Sequence, residues 1–358
     1  MALPLCLRLS FPTGAQALLC RETEDGTMAD GRHGGNVWDG GRPEQWLDFS
    51  ANLRPEGPPE WVMRVMQDAL ADTRYYPDRA MTAARQGLAA YAGVPEACIL
   101  PTAGGAAAID LTLQRRHGTV HVEPVTFGEY AERAGLHGRE VAVWRGKCGA
   151  DDTLVLCNPN NPTGQCRSRD EVLALYAQAS RQGGEMMVDE AFMDYCPENS
   201  VRRDVQPGLS VVGSLTKTLG IPGVRLGYVC AAPEVIADLA RRALPWAVGT
   251  LAAAVAQHLP EHLAEIARDA EVNRRRREAF AAQLTRLGAE VLPSRSNFLL
   301  ADFHRDMVEV AAGLRAQGIL VRACASFGLP GRYLRLAVRT QEENDRLIRE
   351  MEAMLHAR

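Results

Sequence analysis

The sequence lacks any run of about 18 consecutive apolar residues, the length that a membrane-spanning helix needs. Its first 20 residues are only mildly apolar, and Pro4, Arg8 and Pro12 interrupt them without a basic start or an apolar block. We therefore expect no membrane segment and no secretory signal. Residues 1–30 are interpreted as a poorly ordered N-terminal extension.

An excess of basic residues is also missing, because 40 Lys and Arg face 44 Asp and Glu and the net charge is −4. This balance predicts neither a nucleic-acid partner nor a membrane-surface patch. A cysteine framework is missing as well, since the nine cysteines are odd in number and form no Cys-x-x-Cys pair. The pattern indicates free thiols in a reducing cytoplasm, with no zinc site or other metal.

The chain is nevertheless long enough for two domains of unequal size, because 358 residues exceed one compact core. Between residues 99 and 231, short apolar runs alternate with helical patterns, which is typical of a mostly parallel sheet buried on both faces. After Pro245 an Ala- and Arg-rich helical stretch precedes three strand-like runs and a closing amphipathic helix. This order favours a smaller α+β domain.

A lysine among hydroxyl groups and glycines carries the clearest chemistry. Ser214, Thr216 and Lys217 directly follow an apolar run, and Arg225 lies downstream. A desolvated amine near other cations has a lowered pKa and can attack an aldehyde to form an imine. The hydroxyls and the guanidinium can hold a phosphate dianion. By itself, a surface lysine in a glycine-rich turn remains the alternative.

Two polar residues follow other predicted strands. Asp189 ends the run that begins at Glu185, at the edge where open α/β sheets bind ligands, and can pair with a protonated pyridine nitrogen. A helix cap is the alternative. Asn161 lies in a turn with two Asn-Pro steps and can donate to a phenolate oxygen, although an ordinary turn would look alike.

Two weaker signals fit the same ligand. Gly105 and Ala106 open a predicted helix whose N-terminal N–H groups can bind phosphate. Phe127 can stack on a ring, although an isolated phenylalanine more often belongs to the core.

Taken in this order, the motifs resemble those of fold-type-I pyridoxal-phosphate enzymes, and residues 31–358 resemble the class I and II aminotransferase superfamily. The resemblance implies pyridoxal 5'-phosphate as cofactor and an α/β fold. It implies a large domain with a mostly parallel seven-stranded sheet, residues 61–245, and a smaller α+β domain, residues 246–358. Residues 31–60 would form an N-terminal lid and small-domain segment.

The resemblance also implies roles for individual residues. Lys217 would form the Schiff base with the cofactor, Asp189 would pair with its pyridine nitrogen, and Asn161 would contact its phenolic oxygen. The remaining cofactor-binding residues would be Gly105, Ala106, Ser214, Thr216 and Arg225 at the phosphate, Phe127 against the ring, and Tyr76 from the other subunit of a homodimer.

Two branches of this superfamily act on small phosphorylated substrates, the threonine-phosphate decarboxylases of cobalamin synthesis and the histidinol-phosphate aminotransferases. The segments His33–Asn36 and Asp48–Asn52, and Phe192 in place of a usual Tyr, resemble the decarboxylase branch. The resemblance implies that Arg335 binds the substrate carboxylate. The other predicted substrate-binding residues are His33, Gly34, Asn52, Arg322 and Arg339.

The chain departs from the decarboxylase pattern near this substrate end. Asn52-Leu53-Arg54-Pro55 stands where that branch usually has Asn-x-Asn-Pro, and Val321–Ala325 lacks its usual Asp and Ser. We expect decarboxylation of L-threonine O-3-phosphate, with serine phosphate or a histidinol-phosphate aminotransferase as alternatives. A non-catalytic regulator is a remote alternative. Such regulators carry a DNA-binding domain of about 70 residues before the homologous region. Here about 30 residues precede that region, and they are not basic.

Overall fold

The computed structural model describes residues 34–39 and 41–356, so His33 and the predicted extension lie outside the described residues. The strands are β1 (Leu47–Asp48), β2 (Ile99–Thr102), β3 (Val120–Val122), β4 (Val141–Val143), β5 (Thr153–Cys157), β6 (Glu185–Asp189), β7 (Leu209–Ser214), β8 (Gly227–Cys230), β9 (Glu290–Val291), β10 (Phe298–Asp302), β11 (Ile319–Leu320), β12 (Arg322–Ala323) and β13 (Tyr333–Ala337). The helices are α1 (Glu60–Ala69), α2 (Thr82–Ala92), α3 (Gly105–Leu113), α4 (Glu129–Leu136), α5 (Arg169–Ala179), α6 (Leu215–Thr218), α7 (Pro233–Arg242), α8 (Thr250–His258), α9 (Leu263–Arg286), α10 (Val308–Ala316) and α11 (Gln341–His356).

Seven strands form the large sheet in the order β2-β8-β7-β6-β5-β3-β4. All neighbours from β7 to β4 run parallel, and only β8 is antiparallel to both of its neighbours. The central strands are buried at nearly every position, and their successive side chains enter different apolar cores: Leu154 and Leu156 one, Val155 and Cys157 the other. Helices therefore cover both faces, as the near-continuous apolar runs predict. The expected α/β fold is confirmed.

The second sheet is small and antiparallel, in the order β12-β13-β10-β9. Its core joins residues of α9, α10 and α11, among them Phe280, Leu314 and Leu347. The N-terminal segment belongs to this part of the molecule, because β1 pairs in parallel with β11 and Phe49 lies in the same core.

The Ala- and Arg-rich stretch after Pro245 forms two helices rather than one. Pro260 lacks a backbone N–H and lies in the 3₁₀ turn Leu259–His262 that separates α8 from α9. Helix α8 packs on α2 so closely that a Cβ at Gly87 would lie 2.1 Å from the Ala256 carbonyl oxygen. Because α8 contributes to a core of the large sheet, we propose that the large unit continues to about Ile266. No helix within the described ranges has the length and apolarity of a membrane span.

Candidate active site

An open cavity of about 380 Å³ lies where the carboxyl ends of β5, β6 and β7 meet the small sheet and the N-terminal segment. Most of the residues predicted to bind cofactor or substrate share its wall: Gly34, Asn52, Gly105, Ala106, Phe127, Asn161, Asp189, Ser214, Thr216, Lys217, Arg225, Arg322 and Arg335. Residues separated by as much as 300 positions in sequence therefore converge on one site, as expected at the carboxyl edge of a parallel sheet.

Lys217 lies on the short helix α6, directly after β7. Burial lowers the pKa of its ammonium to about 8, and the positive charges of Arg335 and Arg225 add to this effect, whereas Asp189 opposes it. A substantial fraction of the amine is therefore neutral near physiological pH. Such an amine can attack an aldehyde, which is the chemistry predicted for this residue.

Asp189 ends β6 and is held by two donors. The hydroxyl of Tyr130 donates to its Oδ2 at 2.6 Å, and the backbone N–H of Ala191 donates to its Oδ1 at 2.9 Å. Burial raises the pKa of Asp189, while these two hydrogen bonds and the charge of Lys217 oppose the rise. The carboxylate is therefore fixed in orientation and, among the described residues, forms no salt bridge, which suits a protonated ring nitrogen.

Tyr130 is a supporting residue that the sequence analysis missed. It is fully buried and lies on α4, with its ring 5.6 Å from the Phe127 ring in an edge-to-face arrangement. The three-residue spacing from Phe127 puts both rings on one side of the helix start, which is the signal available in the sequence.

The loop after β5 presents Asn161. Its Oδ1 accepts a hydrogen bond from Arg335 Nη1 at 2.6 Å, so its Nδ2 is turned away and remains available as a donor. The neighbouring Asn160 donates to the Val125 carbonyl at 2.9 Å and accepts from Thr126 Oγ1 at 2.8 Å. These bonds join the Asn161 loop to the segment that carries Phe127.

Two backbone segments, Gly104–Gly105 and Arg225–Gly227, converge where the phosphate is predicted to bind. A Cβ at Gly104, whose φ is +85°, would lie 2.7 Å from Arg225 Nη2, and a Cβ at Gly227 would lie 2.5 Å from the Gly104 carbonyl carbon. Only glycine allows this approach. Beside it, α3 begins at Gly105, and its N-terminus has no side-chain cap; the first-turn N–H groups of a helix are a ready site for an anion.

Side chains complete this cradle. The hydroxyls of Ser214 and Thr216 lie 2.8 Å apart, and the exposed Arg225 lines the same cavity, with its guanidinium beside Gly104. Arg225 has a φ of +63°, a conformation that costs about 1–3 kcal/mol for a residue with a Cβ and is usually found at functional sites. Helix N–H groups, two hydroxyls and one guanidinium fit a phosphate dianion, so the residues present fit the predicted cofactor.

The opposite end of the cavity holds two arginines on paired strands. Arg322 of β12 lies directly across from Arg335 of β13, and the Phe327 ring centroid is 5.4 and 5.8 Å from their respective Cζ atoms. Arg322 donates to Ser326 Oγ at 2.6 Å. Two guanidinium groups thus face one end of the site.

Arg335 is buried, and within the described part of the chain no carboxylate forms an ion pair with it. Besides Asn161, Arg335 donates to the Ser50 carbonyl at 2.5 Å. Its buried Nε has no hydrogen-bond partner among the residues that the structure describes. Burial lowers the pKa of Arg335 to about 10. Because a buried cation is costly without a counter-charge, this geometry favours an anionic ligand.

Ser50, a second residue missed in the sequence, shapes the same end. Its Oγ donates to Asp48 Oδ1 at 2.6 Å and accepts from the Gly35 N–H at 2.8 Å. A Cβ at Gly34 would lie 2.1 Å from the Ser50 carbonyl oxygen, so this contact requires glycine. The segment Asp48–Asn52 marks this region in the sequence. It does not show which atoms of the segment face the cavity.

Two predicted site residues do not line the cavity. Arg339 donates to the Asp48 carbonyl at 2.9 Å and to Glu343 Oε1 at 2.8 Å, so it holds the N-terminal segment instead of facing the ligand. Tyr76 is 81% exposed on the outer surface, 4.8 Å from the Trp246 ring. Its predicted role in another subunit stays a prediction.

Three potential metal ligands, His121, Cys148 and Asp152, lie within 4.8 Å of one another, and none of them lines the cavity. Asp152 already accepts hydrogen bonds from His121 Nε2 at 3.0 Å and from the backbone N–H groups of Thr119 and Gly149. These bonds explain the cluster as a turn anchor.

Comparison with known proteins gives the same picture. The family model described as aminotransferase class I and II matches residues 44–351. A threonine-phosphate decarboxylase of Salmonella typhimurium (strain LT2) is 32% identical over 354 residues, 90% of this chain and 96% of that protein. A histidinol-phosphate aminotransferase of Mycobacterium tuberculosis (strain H37Rv) is 32% identical over 312 residues, 82% of this chain and 84% of that protein.

Among solved structures, L-threonine-O-3-phosphate decarboxylase from Porphyromonas gingivalis superposes with a TM-score of 0.77 at 26% identity, covering 86% of this chain and 99% of the other. The predicted family and cofactor are thus confirmed. The chain belongs to the aminotransferase class I and II family and is an enzyme whose cofactor is pyridoxal 5'-phosphate.

Proposed function

We propose that the enzyme decarboxylates L-threonine O-3-phosphate to (R)-1-amino-2-propanol O-2-phosphate and CO2, a step of cobalamin biosynthesis in the cytoplasm. The observation that carries the proposal is the pair Arg322 and Arg335 at the end of the Lys217 cavity. A substrate with a carboxylate and a phosphate supplies the two anionic groups that this pair can bind. The likeness to two threonine-phosphate decarboxylases supports the choice of substrate.

The roles that we propose for Arg335 and Arg322 follow from the burial of Arg335. Arg335, which has no carboxylate partner among the described residues and is hydrogen-bonded to Asn161, binds the substrate carboxylate. Arg322, one strand further, binds the phosphate. When bound, the cofactor would supply an electron sink for the electrons of the broken bond, and Arg335 would orient the carboxylate that leaves. Lys217, with a pKa near 8, returns a proton to the carbon that loses CO2.

A histidinol-phosphate aminotransferase is the second candidate, supported by relatives of that name at the same 32% identity. The arginine pair also suits that reaction, because its two substrates together carry a phosphate and carboxylates. Phe192, which replaces the tyrosine usual in aminotransferases, lines the cavity and packs edge-to-face on Phe298 at 5.0 Å. This substitution favours the decarboxylase.

A substrate series tests the proposal. Purified enzyme with added cofactor is incubated with threonine phosphate, serine phosphate or histidinol phosphate, each with and without 2-oxoglutarate, and the amine products are identified by mass spectrometry. The proposal predicts aminopropanol phosphate from threonine phosphate without a keto acid. Reaction of histidinol phosphate only, and only with 2-oxoglutarate, would reject it.

We also propose a homodimer in which Tyr76 reaches the cofactor phosphate of the other subunit. Support comes from two large exposed side chains beside Tyr76, which is itself 81% exposed: Tyr75, its neighbour in the chain, and Trp246, whose ring lies 4.8 Å away. Contiguous apolar surface of this kind marks an interaction site. Sedimentation of the wild type and of Trp246→Asp tests it, with a dimer and a monomer as the respective expected results.

A further inference from the structure

Two cysteines lie close together beside the active-site loops. The Sγ atoms of Cys166 and Cys196 are 3.5 Å apart, although 30 residues separate them in sequence. Cys196 is buried, whereas Cys166 is partly exposed next to the exposed Gln165. A disulfide needs an Sγ–Sγ distance of about 2.05 Å, so the sulfur atoms must approach by roughly 1.5 Å.

Each cysteine is attached to a segment that bears an active-site residue. Cys166 follows the Asn161 loop, which is closed by reciprocal hydrogen bonds between Asn158 and Arg167 at 2.8 and 3.0 Å. Cys196 follows Asp189 through a compact 3₁₀ turn, and its N–H donates to the Met193 carbonyl at 3.0 Å. Movement of either sulfur is therefore transmitted to its loop.

We propose that Cys166 and Cys196 form a reversible disulfide under peroxide-class oxidants, and that this bond lowers turnover by pulling the Asn161 loop towards the segment after Asp189. The inference does not depend on which substrate the enzyme uses. It also revises the expectation from cysteine spacing, since a pair distant in sequence becomes adjacent only in the fold.

The chemistry begins at the accessible sulfur. The hydrogen bond from the Cys196 thiol holds the pKa of Cys166 below its ordinary value, and the positive charge of Arg295 adds to this effect, against opposing burial and the negative charges of Glu198 and Glu190. A thiolate is the reactive form of cysteine. Because Arg295 forms a salt bridge with Glu198, its charge is held close to the pair.

The steps balance with hydrogen peroxide as oxidant. The Cys166 thiolate attacks one peroxide oxygen and becomes a sulfenic acid, with hydroxide as the leaving group. The Cys196 thiol then attacks the Cys166 sulfur, the S–S bond forms, and the sulfenic hydroxyl leaves as water. Overall, two thiols and one H2O2 give one disulfide and two H2O. Dithiothreitol reverses the result by thiol–disulfide exchange.

The consequence for turnover follows from Asn161. Its Oδ1 lies 2.6 Å from Arg335 Nη1, so displacement of the loop stretches the bond that orients the amide and the guanidinium. Misplacement of a site residue by about 1 Å can reduce the rate on the order of a hundredfold. We therefore expect a reversible fall of about ten- to a hundredfold.

The test uses the full chain with its cofactor. Wild type, Cys166→Ser, Cys196→Ser and the matched control Cys98→Ser, which changes another partly exposed cysteine, are treated with hydrogen peroxide. Linked peptides are mapped by mass spectrometry after the remaining thiols are alkylated. Turnover and the absorbance of the bound cofactor are followed before and after dithiothreitol.

A linked Cys166–Cys196 peptide is expected in wild type and Cys98→Ser, with turnover lost on oxidation and restored by dithiothreitol. Neither event is expected in Cys166→Ser, whose cofactor absorbance shows that the site is intact. Oxidation of other thiols without this linked peptide would show that Cys166 and Cys196 do not form the proposed disulfide. A linked peptide with unchanged turnover would show that the disulfide forms but does not lower turnover.

Discussion

The cofactor end and the substrate end of the cavity hold their charged groups differently. At the cofactor end, Asp189 is fixed by two short hydrogen bonds, and the phosphate cradle consists of backbone N–H groups and hydroxyls on the rigid sheet. At the end that we assign to the substrate, Arg335 donates, among the described residues, to two neutral acceptors, a carbonyl and an amide. We infer that the first end suits a resident ligand and the second an anion that binds and leaves in each turnover.

The largest expected effect comes from a variant at the cofactor end of the cavity. Lys217→Ala removes the amine that we propose bonds covalently to the cofactor aldehyde, so turnover should fall on the order of 10³-fold or more. The visible absorbance of the bound cofactor should be lost as well. Turnover unchanged from the wild type would contradict the whole assignment of the cofactor end.

The next largest effect tests the substrate end with a matched pair of variants. Arg335→Met removes the buried guanidinium that we assign to the carboxylate, so kcat/KM should fall on the order of a hundredfold, with cofactor absorbance retained. Arg339→Met removes a guanidinium that faces Asp48 and Glu343 instead, and kcat/KM should change by less than about threefold.

Arg339→Met should instead lower the free energy of unfolding in urea by about 1 kcal/mol, since it loses partly buried hydrogen bonds. If both variants raised KM for the phosphorylated substrate equally, the structural distinction between the two arginines would be wrong.

Sequence and structure agree best where motifs follow strands. Asp189 ends a central strand, Asn161 and Lys217 lie shortly after two others, and parallel strands align their carboxyl ends, so their convergence is predictable from order alone. The roles assigned to these three residues stay predictions.

The substrate end was less predictable, because its geometry depends on side-chain direction across two sheets. Arg335 lies in the middle of β13 and Arg339 shortly after its end, yet of these two only Arg335 faces the cavity, while Arg339 turns to Glu343 of α11. Tyr130 was missed because nothing in its sequence neighbourhood shows that α4 packs it under Asp189. Such facts follow from packing and not from spacing.

A smaller effect sharpens the account of the cofactor end. Tyr130→Phe removes a hydrogen bond that lowers the pKa of Asp189, so that pKa should rise. Because Asp189 must be ionised to pair with a protonated ring nitrogen, activity should be lost at a higher pH on the acid side. Turnover at neutral pH should fall about tenfold, the usual size for a hydrogen bond to a charged group. An unshifted acid limb would show that Tyr130 only fills space.

The smallest effect concerns Lys217 in protein freed of cofactor. Its pKa of about 8 means that the amine is mostly protonated below that pH and mostly neutral above it. The rate of cofactor capture, followed by absorbance, should therefore rise about tenfold per pH unit up to pH 8 and level off beyond it. A rise that continues to pH 10 would show that burial and Arg335 do not lower this pKa.

The release of labelled CO2 tests the central claim most directly. Threonine phosphate carrying ¹³C in its carboxyl group is mixed with the enzyme and its cofactor, with no keto acid present, and ¹³CO2 is measured against enzyme concentration. We predict many equivalents of ¹³CO2 per active site, because decarboxylation regenerates the enzyme. No ¹³CO2, with transfer of the amino group stopping after one equivalent, would contradict the account and identify an aminotransferase.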